Sequence, residues 1–186
     1  MLKYIEEDGK YVEITGFGNV KIEDAEEFLK AIRKKKHACI QFFNAELVAT
    51  WQHLYFAVLN ALVAFRNKRN ISKNVAMEVM LYASAQRQIR KAIALIGVKR
   101  DSANVAAVII GENLDSVKTA LRIVSKHIGV EPDETVLEFS RGKVQSILRA
   151  FDVSEKELET VMEKNNLEQA LVNLVIERIA LLSTQL

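Results

Sequence analysis

The sequence predicts an α+β fold: a helix-rich single domain spanning 1–186, with a small mixed or antiparallel sheet. Three observations lead there. Tyr11 to Phe17 alternates apolar and polar residues, the two-residue period of a half-buried strand. Val105-Ala-Ala-Val-Ile-Ile110 is a short, continuous apolar run, which suits a strand covered on both faces. Most of the remaining chain carries apolar residues at helical spacing, bounded by capping residues.

In chain order, the first strand is Tyr11–Phe17. Ile22–Lys36 follows as a helix, with Glu23, Asp24, Glu26 and Glu27 at its start and Arg33 to Lys36 at its end. That charge order complements the helix dipole and is structural in character. Ala38–Phe43 is a second strand. Trp51–Phe65 is apolar almost all round, interrupted by Gln52, His53 and Asn60, and is expected to lie buried at the centre of the domain. Ser72 or Asn74 can cap a helix running to about Tyr82. Ala85–Ile96 is a further helix, with Gly97 as its C-terminal cap.

After the Val105–Ile110 strand, Gly111-Glu-Asn turns the chain into a helix over Leu114–His127, ended by Gly129. Thr135–Phe139 reads as a last strand. Helical stretches then cover Lys143–Ala150, Ser154–Lys164 and Leu167–Leu182, and Ser154 with Glu157 has the form of a capping box. No internal repeat, low-complexity segment or domain boundary is visible.

Composition bounds the function. Hydrophobic residues are 49% and charged residues 27% of the chain, ordinary for a folded protein. With one Pro and seven Gly, no Pro-rich or Gly-rich linker can be placed. No apolar run reaches the length of a membrane span, and the start has no signal-peptide character. The single cysteine, Cys39, forbids an internal disulfide or a multi-cysteine metal site, and its apolar strand makes it a small core residue. These features imply a cytoplasmic protein.

Catalytic signals are absent. His37, His53 and His127 lie far apart, none beside a second ligand at metal spacing. His53, in the buried helix, is expected to be a satisfied core or interface histidine. His127 sits near a helix C-terminus, where a cation is favoured. Gly16-Phe-Gly18 is too short for a dinucleotide fingerprint, and no phosphate-binding loop occurs. No metal or cofactor is expected.

The charge distribution is uneven. Arg66 to Arg100 holds nine basic residues and one acid, Glu78, although the whole chain is only +2. Arg66, Lys68, Arg69 and Lys73 are interleaved with Asn67, Asn70 and Asn74; Arg87, Gln88, Arg90 and Lys91 follow. Basic side chains neutralise phosphates and amides bond bases or sugars. If the two helices pack side by side, these groups would line one groove for single-stranded nucleic acid, with Tyr82 as the nearest aromatic. A solvated basic surface without a partner is the other reading; such surfaces more often mix both signs.

The last helix has two apolar stripes. Leu171, Val172, Val175, Ile179 and Leu182 form one, and Leu167, Leu174 and Leu181 recur every seven residues on another side. Either both are buried within the domain, or the second is left for a partner.

Four segments carry a family resemblance: Trp51-Gln-His-Leu54; Arg69-Asn-Ile-Ser-Lys73 followed by Met77-Glu-Val-Met-Leu-Tyr-Ala83; Gln86-Arg-Gln-Ile89 with Ala92-Ile93 and Gly97-Val98; and Val175-Ile-Glu-Arg-Ile-Ala-Leu-Leu182. Together they resemble the kinase-binding, tRNA-recruiting subunit of the KEOPS complex (the TPRKB-like family), in an archaeal style. The resemblance covers nearly the whole chain and is most specific over Phe42–Ile110.

It implies a non-catalytic subunit of an assembly that installs threonylcarbamoyladenosine in tRNA. The subunit would bind the CCA 3′ end of tRNA and the atypical kinase (ATPase) subunit. Carried onto this sequence, the RNA-binding candidates are Arg66, Lys68, Arg69, Asn70, Lys73, Arg87, Gln88 and Arg90, with Ile71 and Ile89 as packing residues. A protein-only scaffold and a stand-alone enzyme are the alternatives.

Overall fold

The computed structural model describes residues 1–22 and 38–184. The helix expected over Ile22–Lys36 therefore lies outside the described residues, Ile22 excepted, as does His37. Four antiparallel strands and seven α-helices are described, so the fold is α+β, and the chain divides into two compact units.

The first unit comprises Met1–Ala45 and Gly97–Leu137. Its strands are β1 (Leu2–Ile5), β2 (Lys10–Phe17), β3 (Cys39–Asn44) and β4 (Val105–Gly111), in the order β1-β2-β4-β3. β4 lies between β2 and β3, with Val108 opposite Ile14 and Ala107 opposite Phe42. Every residue of β4 is buried, which explains its unbroken apolar composition. Helix α4 (the fourth helix in chain order, Leu114–Ile128) covers one sheet face. There Val117, Ala120 and Val124 join Phe17, Phe42, Val105, Ala107 and Ile109 in one core. Asn113 Oδ1 caps its start by accepting from Ser116 N–H at 2.8 Å, and Gly129, at φ +75°, ends it.

Several sequence expectations change here. β1 has no counterpart among the expected strands: it is four residues long and three of them are exposed, too little for a periodic signal. Thr135–Phe139 is not a strand. Glu134–Leu137 is a 3₁₀ turn, because Asp133 Oδ1 accepts from both the Thr135 N–H (2.9 Å) and its hydroxyl (2.6 Å). Gly16 passes directly beneath this turn: a Cβ there would sit 2.5 Å from Val136 Cβ and 2.7 Å from the Asp133 carbonyl oxygen. Cys39 is only half-buried, since β3 is an edge strand.

The second unit comprises Glu46–Ile96 and Glu138–Leu186. Its helices are α1 (Trp51–Arg66), α2 (Val75–Ala83), α3 (Ile89–Ile96), α5 (Val144–Ala150), α6 (Glu155–Val161) and α7 (Leu167–Leu181). α1 packs against α2 and α7, α2 against α3, and α6 against α7. α2 is the more fully buried of the two: Glu78 to Ala83 are all buried. α1 buries His53, Leu54, Ala57, Val58, Ala61 and Leu62 but exposes Phe56 (37%) and Val63. Hydrophobicity on all sides therefore did not mean burial on all sides. α3 starts at Ile89 rather than Ala85, because Ala85 takes a left-handed conformation (φ +50°) that breaks the chain away from α2. Gly97 follows α3 without adopting a left-handed cap; among described glycines only Gly9 and Gly129 have positive φ.

Candidate nucleic-acid interface

The connection between α1 and α2 is built almost residue by residue from its own backbone hydrogen bonds. Asn67 N–H donates to the Val63 carbonyl, Lys68 N–H to Phe65, and Arg69 N–H to Ala64 at 2.8 Å. Lys68 takes a left-handed turn (φ +54°) that redirects the chain. Asn70 Nδ2 donates to the Ser72 carbonyl (3.0 Å), and Ser72 Oγ accepts from Asn74 N–H. Asn74 Oδ1 then caps α2, accepting from Ala76 N–H at 2.8 Å and Met77 N–H at 3.4 Å. Of the two cap candidates, Asn74 caps the helix and Ser72 supports it.

This folded loop leaves its cations outward. Arg66, Lys68, Arg69 and Lys73 are exposed and Asn70 is half-buried. Among the described residues, no salt bridge holds Lys68, Arg69 or Lys73. The only acid between Arg66 and Arg100, Glu78, is 0% exposed. Its Oε1 accepts from Ile71 N–H at 3.0 Å and its Oε2 from Ser72 N–H at 2.6 Å. A carboxylate turned inward onto two amides does not neutralise the cations outside.

The other candidates form a second group. Arg87 and Gln88 lie in the segment joining α2 to α3, and Arg90 is in the first turn of α3. All three are exposed. Arg87 Nη1 makes a weak hydrogen bond (3.5 Å) to the Leu182 carbonyl at the end of α7. The loop group thus precedes α2 and the Arg87 group follows it, separated along the chain by a helix roughly 14 Å long at 1.5 Å per residue. Tyr82 offers no stacking plane: it is buried, which raises its hydroxyl pKa, with Glu78 adding to the rise. Ile71 and Ile89, expected as packing residues, are exposed. The rings of Tyr55 and Phe56, with centroids 6.1 Å apart, lie on the α1 helix that ends at Arg66, and Phe56 is exposed. These rings are not candidates by sequence, because the apolar pattern of that helix predicts complete burial.

His53 is a satisfied core histidine. Nδ1 accepts from Ala49 N–H (3.3 Å) and Nε2 donates to the Ala83 carbonyl (2.7 Å), while Phe151 meets the ring edge-on. Complete burial lowers its pKa from 6.5 to about 4. Among the described residues no group of three or more His, Cys, Asp or Glu side chains could hold a metal ion, and no helix is long and apolar enough to cross a membrane.

The family model of the kinase-binding protein CGI-121 matches residues 17–183 of this sequence. The chain belongs to the CGI-121 family. Within that family it is similar to the regulatory protein Cgi121 of Methanocaldococcus jannaschii. The two are 35% identical over 113 residues, 61% of this chain and 70% of that protein.

The structure divides the two apolar stripes of the last helix. Leu174 is 2% exposed, with Ala170, Leu171, Val172, Val175 and Ile179 also buried. Leu167 is half-buried, and Leu181 is 41% exposed. For Leu174 the outcome is burial within the unit; for Leu181 it is an open surface. Arg178 Nη2 is held by Glu157 of α6 at 2.5 Å.

Proposed function

We propose that this chain is a non-catalytic subunit of a KEOPS-type assembly. It captures the unpaired CCA 3′ end of tRNA on the basic surface of its helical unit and joins the assembly's atypical kinase, supporting threonylcarbamoyladenosine modification in the cytoplasm. The observation that carries the reading is the α1–α2 loop: four exposed cations interleaved with Asn67, Asn70 and Asn74, whose one neighbouring acid is buried. A strand held at both ends of α2 would meet Arg66, Lys68, Arg69, Asn70 and Lys73 first and Arg87, Gln88 and Arg90 next. Membership of a kinase-binding family supports the second partner, and the exposed Leu181, with Leu167 beside the start of α7, is its proposed contact.

The test is gel-shift binding of a tRNA with and without its CCA end, repeated with Lys73→Glu and Arg87→Glu. Removal of CCA and either substitution should each weaken binding. Each phosphate that is no longer neutralised should lower the steepness of the salt dependence by about one. Equal affinity with and without CCA would remove end capture. A protein-only scaffold is the competing reading, favoured by the exposed apolar residues Phe56 and Val63 on α1; the absence of salt-dependent tRNA binding would support it.

A further inference from the structure

We infer that Glu78 is a positioning residue for RNA binding: its buried carboxylate locks the α1–α2 loop so that the cations on either side of the lock are presented in a fixed arrangement. The inference rests on the proposed RNA-binding role of that loop. Its geometry is independent of it. Both carboxylate oxygens are used, and both partners are backbone N–H groups of consecutive loop residues, Ile71 and Ser72. Bonds from an amide to a charged acceptor are the stronger kind. The site lies in the first turn of α2, where the helix end favours a negative charge. The locked pair falls between the candidate contacts Arg69 and Asn70 on one side and Lys73 on the other.

A loop so held does not have to be ordered by the ligand, and pre-organisation of this kind appears as affinity. A free loop bearing the same charges would bind more weakly because its freedom would be given up at the moment of binding. The acid at position 78 thus strengthens attraction for an anion by shaping the surface rather than by its charge.

This gives the inference a sign that electrostatics alone would reverse. Glu78→Gln removes a negative charge from a basic region, so charge alone predicts tighter tRNA binding. The carboxamide keeps one acceptor but points an NH₂ group at the second amide, so the lock predicts weaker binding. We expect Glu78→Gln to weaken tRNA binding by about tenfold, the scale of removing a charge-assisted hydrogen bond, with the salt dependence unchanged because no phosphate contact is removed. Ser154→Ala, which removes the cap of α6 in the same unit, controls for plain loss of stability and should leave tRNA binding as it was.

Amide hydrogen exchange reads the lock without any variant. In the wild-type chain Ile71 and Ser72 should exchange far more slowly than Asn70 and Lys73, whose N–H groups have no acceptor among the described residues. In Glu78→Gln that protection should fall. Fast exchange at Ile71 and Ser72 in the wild type would overturn the lock. Undiminished or tighter tRNA binding by Glu78→Gln, or an equal loss in Ser154→Ala, would overturn its role in binding. A wild-type chain that binds no tRNA would instead overturn the reading underneath, a result told apart because exchange could still show the lock intact.

Discussion

The strand ends of the sheet unit and the Arg66–Lys91 segment of the helical unit treat charge in opposite ways. In the sheet unit the charges at the strand ends are paired: the N-terminal ammonium with Glu13 and Glu134, and Lys10 with Glu112. In the helical unit the cations from Arg66 to Lys91 face solvent, with Lys68, Arg69, Lys73 and Arg90 in no salt bridge among the described residues, and the one acid of that segment is spent on backbone amides. The later part of that same unit returns to pairing, with Arg178 on Glu157. Paired surface charges contribute little to stability. The difference therefore concerns the field presented outward: a mixed surface in one unit, and in the other a patch of one sign able to attract an anion.

The contrast can be broken first at the core of the helical unit. Leu174→Glu places a charge where 2% of the side chain is exposed, and Leu174→Ala alone should cost about 2–5 kcal/mol. The urea melt should therefore show the glutamate variant unfolded, whereas Leu181→Glu should melt like the wild type and lose only kinase binding. A folded Leu174→Glu chain would return that leucine to the surface.

His53 gives the next largest effect. Its folded pKa, about 4, lies below the ordinary 6.5, so between these values the unfolded chain binds more protons. Stability is accordingly complete above pH 6.5 and falls as pH drops toward 4, by about 3 kcal/mol at the conversion of 1.36 kcal/mol per pH unit. Urea midpoints across that range should fall in the wild type and flatten in His53→Gln, whose overall stability is lower.

In the sheet unit Gly16→Ala would drive a methyl into Val136 and the Asp133 carbonyl. A loss of about 1–3 kcal/mol is expected from such overpacking, with tRNA binding retained below the melt. Smallest is Lys73→Glu, whose effect on stability should stay within about 0.5 kcal/mol while tRNA binding falls. A large stability change there would mean that the basic patch serves the fold rather than a ligand.

Much of the fold was legible in the residues. Val105–Ile110 announced a doubly covered strand by its unbroken apolar run, and Asn74, Asn113, Ser154 and Gly129 marked helix ends by chemistry that acts within one turn. What escaped was set by contacts distant in sequence or by turns within a single residue. The strand expected over Thr135–Phe139 gave way to the Asp133 side chain. The start expected at Ala85 gave way to that residue's own left-handed turn. The all-round burial expected for α1 held for His53, Leu54, Ala57, Val58, Ala61, Leu62 and Ala64 but not for Phe56 and Val63, which face solvent. At the candidate site, residue types, their clustering and their places before and after α2 were visible, but the inward turn of Glu78 was not.

By itself the sequence determined the alphabet of this protein: its α+β class, its basic middle, and the family its motifs resemble. These depend on composition and local period, which folding does not alter. Tertiary structure alone decided which charges remain facing water. That depends on where one carboxylate finds its two amides, and hydrogen-bond geometry between residues six and seven positions apart is fixed only when the loop and the helix have folded together.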